Sequence, residues 1–384
     1  HRFFYRIIFN HPEYLKALTD QSQSYKVTSG LLAMVDITND PKRRKEIIGN
    51  YYDFEFLRIG IGTMKGVDLI TTNQQFTDFC DNYLIKLFDI CSEEIAAENP
   101  RIMPNTDTFA VLVAGGHAHG QAYDDDYDLI ALIDTDDADV IKYSTKIISR
   151  MNRHILERGL LPHYRMGEML EGYVVPITQV VEYLNSLEED IFIDLSQLLG
   201  ARMVIGSDNM KDTVNARILQ PLIFNRKEYY IRRMIEEVRN RQTNDPGFVD
   251  HLNIKEAKGG IRDIEAIALM LKAYTGTGRM IDQKFFRYNI KRFPALKKEL
   301  KTLDNTAYIL RSIRNLYRLT EAAEDEIHRD YLYNLAELLL KGPMKKKLSK
   351  NIYKDIKSNL KDSYIAVTKI MKFLELQLNR KMPH

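Results

Sequence analysis

Apolar positions recur every three or four residues through "PEYLKALTD" and "QQFTDFCDNYLIKLFDICSEEIAAE", so the first hundred residues read as amphipathic helices. The pattern breaks at "ENPRIMPNTDT", where two prolines and several turn formers interrupt it. Beyond the break the period changes. "TFAVLVAGG" is a short apolar run that stops at glycine, and "YDLIALID" is another; both carry the signature of buried strands. "DADVIKYSTKIISRMNRHILERG" returns to helical spacing with Gly159 placed to end it, and "GARMVIG" predicts a further strand. Helices resume in "NRKEYYIRRMIEEVRNRQ", "GGIRDIEAIALMLKAYTG", "DNTAYILRSIRNLYRLTEAAEDEIHR" and "YKDIKSNLKDSYIAVTKIMKFLELQL", with Gly342-Pro343 between the last two. The pattern predicts an α+β chain in three regions: helical over 1–104, a small α/β domain over 105–206, and a helical bundle over 207–384.

Composition narrows the class without changing that picture. The 384 residues have room for two or three domains, and 45% apolar with 28% charged residues is ordinary for a globular protein. A net charge of +2 gives no reason to expect nucleic acid or an acidic membrane as partner. The lysine-rich stretch "KGPMKKKLSKNIYKDIK" reads as a solvated helix face, with an anion-binding surface as the alternative. No run approaches the ~18 apolar residues of a membrane span, and no signal-peptide pattern is present. Cys80 and Cys91 lie eleven apart in a helical segment and read as buried reduced thiols, which favours the cytoplasm. The chain begins His-Arg-Phe-Phe with an apolar pattern already running, so it is expected to be a piece of a longer protein.

Candidate chemistry concentrates in "VLVAGGHAHGQAYDDDYDLIALID", Val111 to Asp134. Asp124, Asp125, Asp126 and Asp128 crowd together beside a buried strand, an arrangement that costs energy unless a cation or a solvated loop relieves it. Asp126 and Asp128 flank one residue at the start of a strand, so both point to one face, about 6–7 Å apart along it. Such a pair suits a divalent cation. Mg²⁺ (or Mn²⁺) takes a few carboxylate oxygens and completes its shell with water and substrate phosphate. Gly115, Gly116 and Gly120 let the backbone approach a phosphate closely. Together they predict a nucleoside-triphosphate site.

The order Gly-Gly-x3-Gly, acidic turn, Asp126-x-Asp128, strand resembles the signature of the polymerase-β-type nucleotidyltransferases. The pattern is most similar to the glutamine synthetase adenylyltransferase (adenylyl-removing enzyme) and the PII-protein uridylyltransferase. "EFLRIGIGTMKGVDLITTNQQFTDFCDNYL", "FIDLSQLLGARMVIGSDNM" and "NIKEAKGGIRDIEAIALMLKAYTG" resemble further stretches of these enzymes in the same order, so the likeness covers roughly residues 50 to 330. It implies metal-binding aspartates at Asp126 and Asp128 and a phosphate loop at Gly115, Gly116 and Gly120. The loop departs from the family in carrying His117, Gln121 and Asp125 where a Ser or Thr often stands; His117 and His119 are either phosphate donors or ordinary loop residues. A third carboxylate, expected on a later strand as metal ligand and general base, is not evident. "RGLLPHYRMGEMLEGY" has Leu160, Leu161 and Pro162 there. Glu168 is the first substitute and His163 the second, with Glu171 also near.

"KEAKGGIRDIE" places Lys255, Lys258 and Arg262 around a glycine pair at a helix start, where anions bind readily. The resemblance implies that these cations reach the triphosphate or the acceptor protein across a cleft; the plainer reading is a turn with ion pairs. The function expected is metal-dependent transfer of AMP or UMP from a nucleoside triphosphate to a protein hydroxyl, or the reverse phosphorolytic removal. The alternative is a catalytically impaired nucleotide-binding module of a larger signalling protein. An RNA-directed transferase ranks third, because no single-strand pattern of interleaved aromatics and cations is present.

Overall fold

The computed structural model describes residues 2–19, 21–98, 106–124, 126–186, 191–243, 251–322, 324–340 and 343–380. Five helices come first: α1 (Arg2–Asn10), α2 (Glu13–Leu18), α3 (Gln21–Ile37), α4 (Pro41–Met64) and α5 (Leu69–Glu98). The mixed region follows as β1 (Phe109–Val113), α6 (Gly115–Ala118), β2 (Asp126–Ile133), α7 (Ala138–Glu157), β3 (Leu161–Tyr164), β4 (Val174–Pro176), α8 (Ile177–Asn185), α9 (Ile191–Gly200), β5 (Arg202–Ile205) and α10 (Asp208–Val214). After a ten-residue π-helical stretch come α11 (Lys227–Thr243), β6 (His251–Asn253), α12 (Ile261–Thr275), α13 (Phe285–Arg292), α14 (Lys297–Thr320), β7 (Glu326–His328), α15 (Leu332–Leu339) and α16 (Ile352–Asn379). The α+β class and the helical flanks are as the periodicity predicts. Among the described residues no helix is long and apolar enough to cross a membrane.

Two compact units form: residues 1–62 with 72–218, and 63–71 with 219–384. The first contains the sheet, in the order β3-β2-β1-β5, with β4 pairing β2 beyond the end of β3. β1 runs antiparallel to β2 and β5, whereas β3 and β4 run parallel to β2 after the α7 crossover. Gly159, with φ +77, follows α7 and turns the chain into β3. Every residue of β1 is buried, which accounts for its unbroken apolar run.

The N-terminal helices cover one face of this sheet. Phe88 of α5 stacks on Phe109 of β1, ring centroids 5.6 Å apart, and the Tyr83 hydroxyl of α5 bonds His154 Nδ1 of α7 at 3.0 Å. Tyr52, Phe56, Phe76 and Phe79 form an edge-to-face aromatic cluster between α4 and α5. Cys80 and Cys91 are buried free thiols, as expected, and burial raises both, Cys91 to about 12. The second unit is helical apart from the short β6–β7 pair; α14 packs on α16 and α13, and α11 on α12.

Candidate functional site

The hairpin formed by β1, α6 and β2 brings the acidic residues against the glycines. Val113 pairs with Leu129, and Ala114 N donates to Asp128 O at 2.8 Å, so the loop leaves the sheet directly opposite Asp128. Gly115 has φ +57, and a Cβ added there would overlap Asp128 Oδ2. A Cβ at Gly116 would overlap Asp124 Oδ2. Glycine is favoured at Gly115 by its positive φ, and at both positions carboxylates lie close against the backbone. Gly120, at φ +68, ends the short helix. Tyr123 adopts φ +62 although it is not glycine, is 2% exposed, and packs edge-on against Phe56 and Phe76. A buried aromatic held in the left-handed region is strain that the surrounding packing must over-determine.

Alternation along β2 sends Asp126 and Asp128 to one face and Tyr127 to the other. Asp128 Oδ1 accepts from Arg165 Nε at 2.9 Å, and Nη2 of the same guanidinium lies 2.8 Å from that oxygen as an ion pair. Arg165 follows β3 immediately, and its amide donates to Leu129 O at 2.9 Å. In the parallel register Asp126 sits beside Leu161 and Asp128 beside His163, with neighbouring strands about 4.8 Å apart. The residue after Arg165, Met166, is buried with φ +65 and begins a tight turn that Gly172 N closes on Gly167 O. Both loops that frame the aspartates thus hold a buried non-glycine residue at positive φ.

Glu168, the first substitute for a third carboxylate, lies in the turn after β3. Among the described residues no group of three or more His, Cys, Asp or Glu side chains is placed to hold a metal ion. That turn brings Glu168 near His163, Oε1 lying 3.8 Å from Nδ1, and Glu168 borders a depression beside Thr145 and Tyr173. The basic residues His163 and Arg165 stand on the strand neighbouring Asp128, where the resemblance implied a carboxylate. Mg²⁺ still suits Asp126 and Asp128, since such an ion is commonly held by one or two carboxylates with phosphate and water supplying the rest.

His117 is neither a surface residue nor on the aspartate face. It is buried, its ring faces Tyr127 at 5.5 Å, and Nε2 bonds Asp81 Oδ1 of α5 at 3.1 Å. Asp81 also takes a two-pronged bond from Arg202 of β5, at 2.6 and 2.9 Å. Burial alone would raise Asp81, but His117 and Arg202 outweigh it and hold the carboxyl below its usual value. The trio ties the glycine loop to the helical layer. Asp125 lies outside the described residues.

The motif at 255–265 has a packing explanation inside the second unit. Gly259, at φ +77, and Gly260 leave no room for a side chain: a Cβ at Gly259 would overlap the α16 backbone at Leu360 and Tyr364. Asp263, 1% exposed, accepts from Arg241 Nη2 at 2.6 Å, Gln242 Nε2 at 2.7 Å and Gly259 N at 2.9 Å. Lys255 pairs with Asp325 at 3.4 Å, Arg262 with Glu256 at 2.9 Å, and Lys258 is exposed. Asp325 also takes Arg314 and Arg318; these cations overcome its burial and hold it below the usual carboxylate range.

Sequence reasoning passed over Arg165, Asp81 and Arg202. His163-x-Arg165 has the two-residue spacing that puts both on the face beside Asp128, which is the signal for Arg165. Asp81 and Arg202 lie 121 residues apart, and no local pattern links them.

The family described as GlnD PII-uridylyltransferase matches residues 229–362. The bifunctional uridylyltransferase/uridylyl-removing enzyme of Nitrosococcus oceani is 22% identical over 232 residues, covering 60% of this chain and 24% of that protein. The enzymes of the same name from Psychrobacter sp. and Hydrogenovibrio crunogenus are 25% and 24% identical, covering 71% and 78% of this chain. Over these stretches the chain is similar to the PII-uridylyltransferase-type nucleotidyltransferases. It spans about a quarter of the length of the curated enzymes, 24% of the Nitrosococcus protein. The family match lies in the second unit and includes the 255–265 motif, while the Asp126–Asp128 hairpin lies outside it.

Proposed function

We propose that the β1–β2 hairpin binds a nucleoside triphosphate, and that the protein moves a nucleoside monophosphate onto or off a protein hydroxyl. The supporting observation is the hairpin itself: Asp126 and Asp128 on one strand face, with Gly115 closed directly against Asp128. The names of the relatives favour UMP over AMP and a PII-type protein as acceptor, in nitrogen regulation. Asp126 and Asp128 would hold Mg²⁺ or Mn²⁺, which when bound supplies charge neutralisation at the phosphates. The glycine loop sets the distance of the backbone from the phosphates, and Asp81 and Arg202 keep that loop in place through His117. Two buried free thiols suit a reducing compartment, and we assign the protein to the cytoplasm.

A second reading, a nucleotide-binding regulatory module without transfer, is favoured by one observation: Asp128 is engaged by Arg165. Calorimetry with a non-hydrolysable UTP analogue and Mg²⁺ tests the site itself. Asp126→Asn and Asp128→Asn should each weaken binding about tenfold or more; binding unaffected by both removes the site. Pyrophosphate release in the presence of a PII-type acceptor then separates the two readings, because the second allows none.

A further inference from the structure

Arg165 is built to serve two partners. Its backbone is fixed, the amide bonded to Leu129 O and the next residue, Met166, buried in the left-handed region, so only the side chain is free to turn. Its guanidinium spends Nε and Nη2 on a single oxygen, Asp128 Oδ1. That geometry lacks the second carboxylate oxygen of a fork-to-fork pair and holds less tightly than one. Nη1 has no partner among the described residues, and the side chain is 34% exposed against 12% for Asp128. Asp128 Oδ2 is meanwhile pressed against Gly115, so Oδ1 is the oxygen on which Arg165 and a divalent cation would compete. Two aspartates alone would repel a polyphosphate, and a guanidinium is the side chain best matched to phosphate oxygens.

We propose that Arg165 exchanges partners: it bonds Asp128 as seen here, and on nucleotide binding it releases Asp128 to a divalent cation and turns to the triphosphate. This rests on the reading of the hairpin as a nucleotide site. It assigns Arg165 a double role with opposite consequences for two ligands. As a competing cation it weakens metal binding in the absence of nucleotide; as a phosphate ligand it strengthens nucleotide binding.

Calorimetry on the full chain separates these. Mn²⁺ alone is titrated into wild type, Arg165→Gln and Arg165→Lys, and the non-hydrolysable UTP analogue with saturating Mg²⁺ is titrated in parallel. Arg165→Gln should bind Mn²⁺ about fivefold tighter, because a like charge leaves Asp128, and the nucleotide about tenfold weaker, because a charge-assisted bond is lost. Arg165→Lys, which keeps the charge without the fork, should fall between wild type and glutamine for the nucleotide and guards against a folding defect in the glutamine variant. Movement of both affinities in the same direction, or of neither, overturns the exchange while leaving the nucleotide site standing. Wild-type protein that binds no nucleotide at any Mg²⁺ concentration overturns the site and the exchange with it.

Discussion

Gly115→Ala is the sharpest stability test of the hairpin. The added methyl faces two penalties. At φ +57 an L-residue pays about 1–2 kcal/mol for the left-handed region. The new Cβ also overlaps Asp128 Oδ2, so the carboxylate must move off its bonds to Arg165. Those bonds are charge-assisted, but the guanidinium is one-third exposed and solvent screens it, which limits their loss to about 1 kcal/mol. Reduced freedom of the unfolded chain returns about 0.4–1 kcal/mol. The net is a destabilisation of about 1–2.5 kcal/mol. Urea unfolding followed by far-UV circular dichroism reads it, since the chain has 22 tyrosines and no tryptophan to report by fluorescence. The decisive comparison repeats the substitution in an Asp128→Ala background. With the carboxylate gone the overlap disappears, and only the backbone cost should remain, so Gly115→Ala should become cheaper by about 1 kcal/mol. Equal cost in both backgrounds would refute the account of why glycine stands opposite Asp128.

Two further predictions concern buried titratable groups. His154 bonds the Tyr83 hydroxyl through Nδ1 and Lys45 O through Nε2, at 3.0 and 3.3 Å, and burial pushes it down to about 4 from 6.5. The unfolded chain therefore binds the proton first, and stability present above pH 6.5 is lost as pH falls toward 4, by about 3 kcal/mol; urea midpoints across that range should fall less steeply in His154→Gln, and an unchanged slope would contradict it. Lys272 of α12 is 4% exposed and burial lowers it to about 8 from 10.5. Its charge is a cost below pH 8 that fades as pH rises toward 10.5, so Lys272→Met should stabilise the protein by about 2–3 kcal/mol at pH 7 and much less at pH 10; a loss of stability at pH 7 would show that the ammonium is better accommodated than its burial implies.

Strands β1, β2 and β5 were legible because each is a short apolar run bounded by turn residues, and the hairpin because Gly-Gly and Asp-x-Asp mark its two ends; β3, β4, β6 and β7 are three or four residues long and carry no such pattern. Gly159 ends α7 where the pattern places it. What was hidden depends on contacts between distant residues. Residues 1–62 and the part of α5 from residue 72 share one compact unit with the sheet, and the ties that bind α5 there, Asp81 to Arg202 and Tyr83 to His154, span 121 and 71 residues. Helical periodicity shows that α5 has a buried face but not that the face meets β1.

The same limit explains why Arg165 was passed over. A carboxylate was sought by residue type, and type says nothing about register. Once β3 pairs with β2 so that His163 lies beside Asp128, the residue two further on shares that face. Glu168 comes after the chain has left the strand through Met166, whose positive φ turns it aside. A guanidinium thus reaches the oxygen for which a cation would otherwise be needed. Part of the site's charge is offset internally: the aspartate crowding that looked costly in the sequence is relieved at Asp128 by Arg165. It follows that any cation taken up by Asp126 and Asp128 must do better than an arginine already in place, and the affinity of the pair for metal is set by the strand next to it as much as by the two carboxylates.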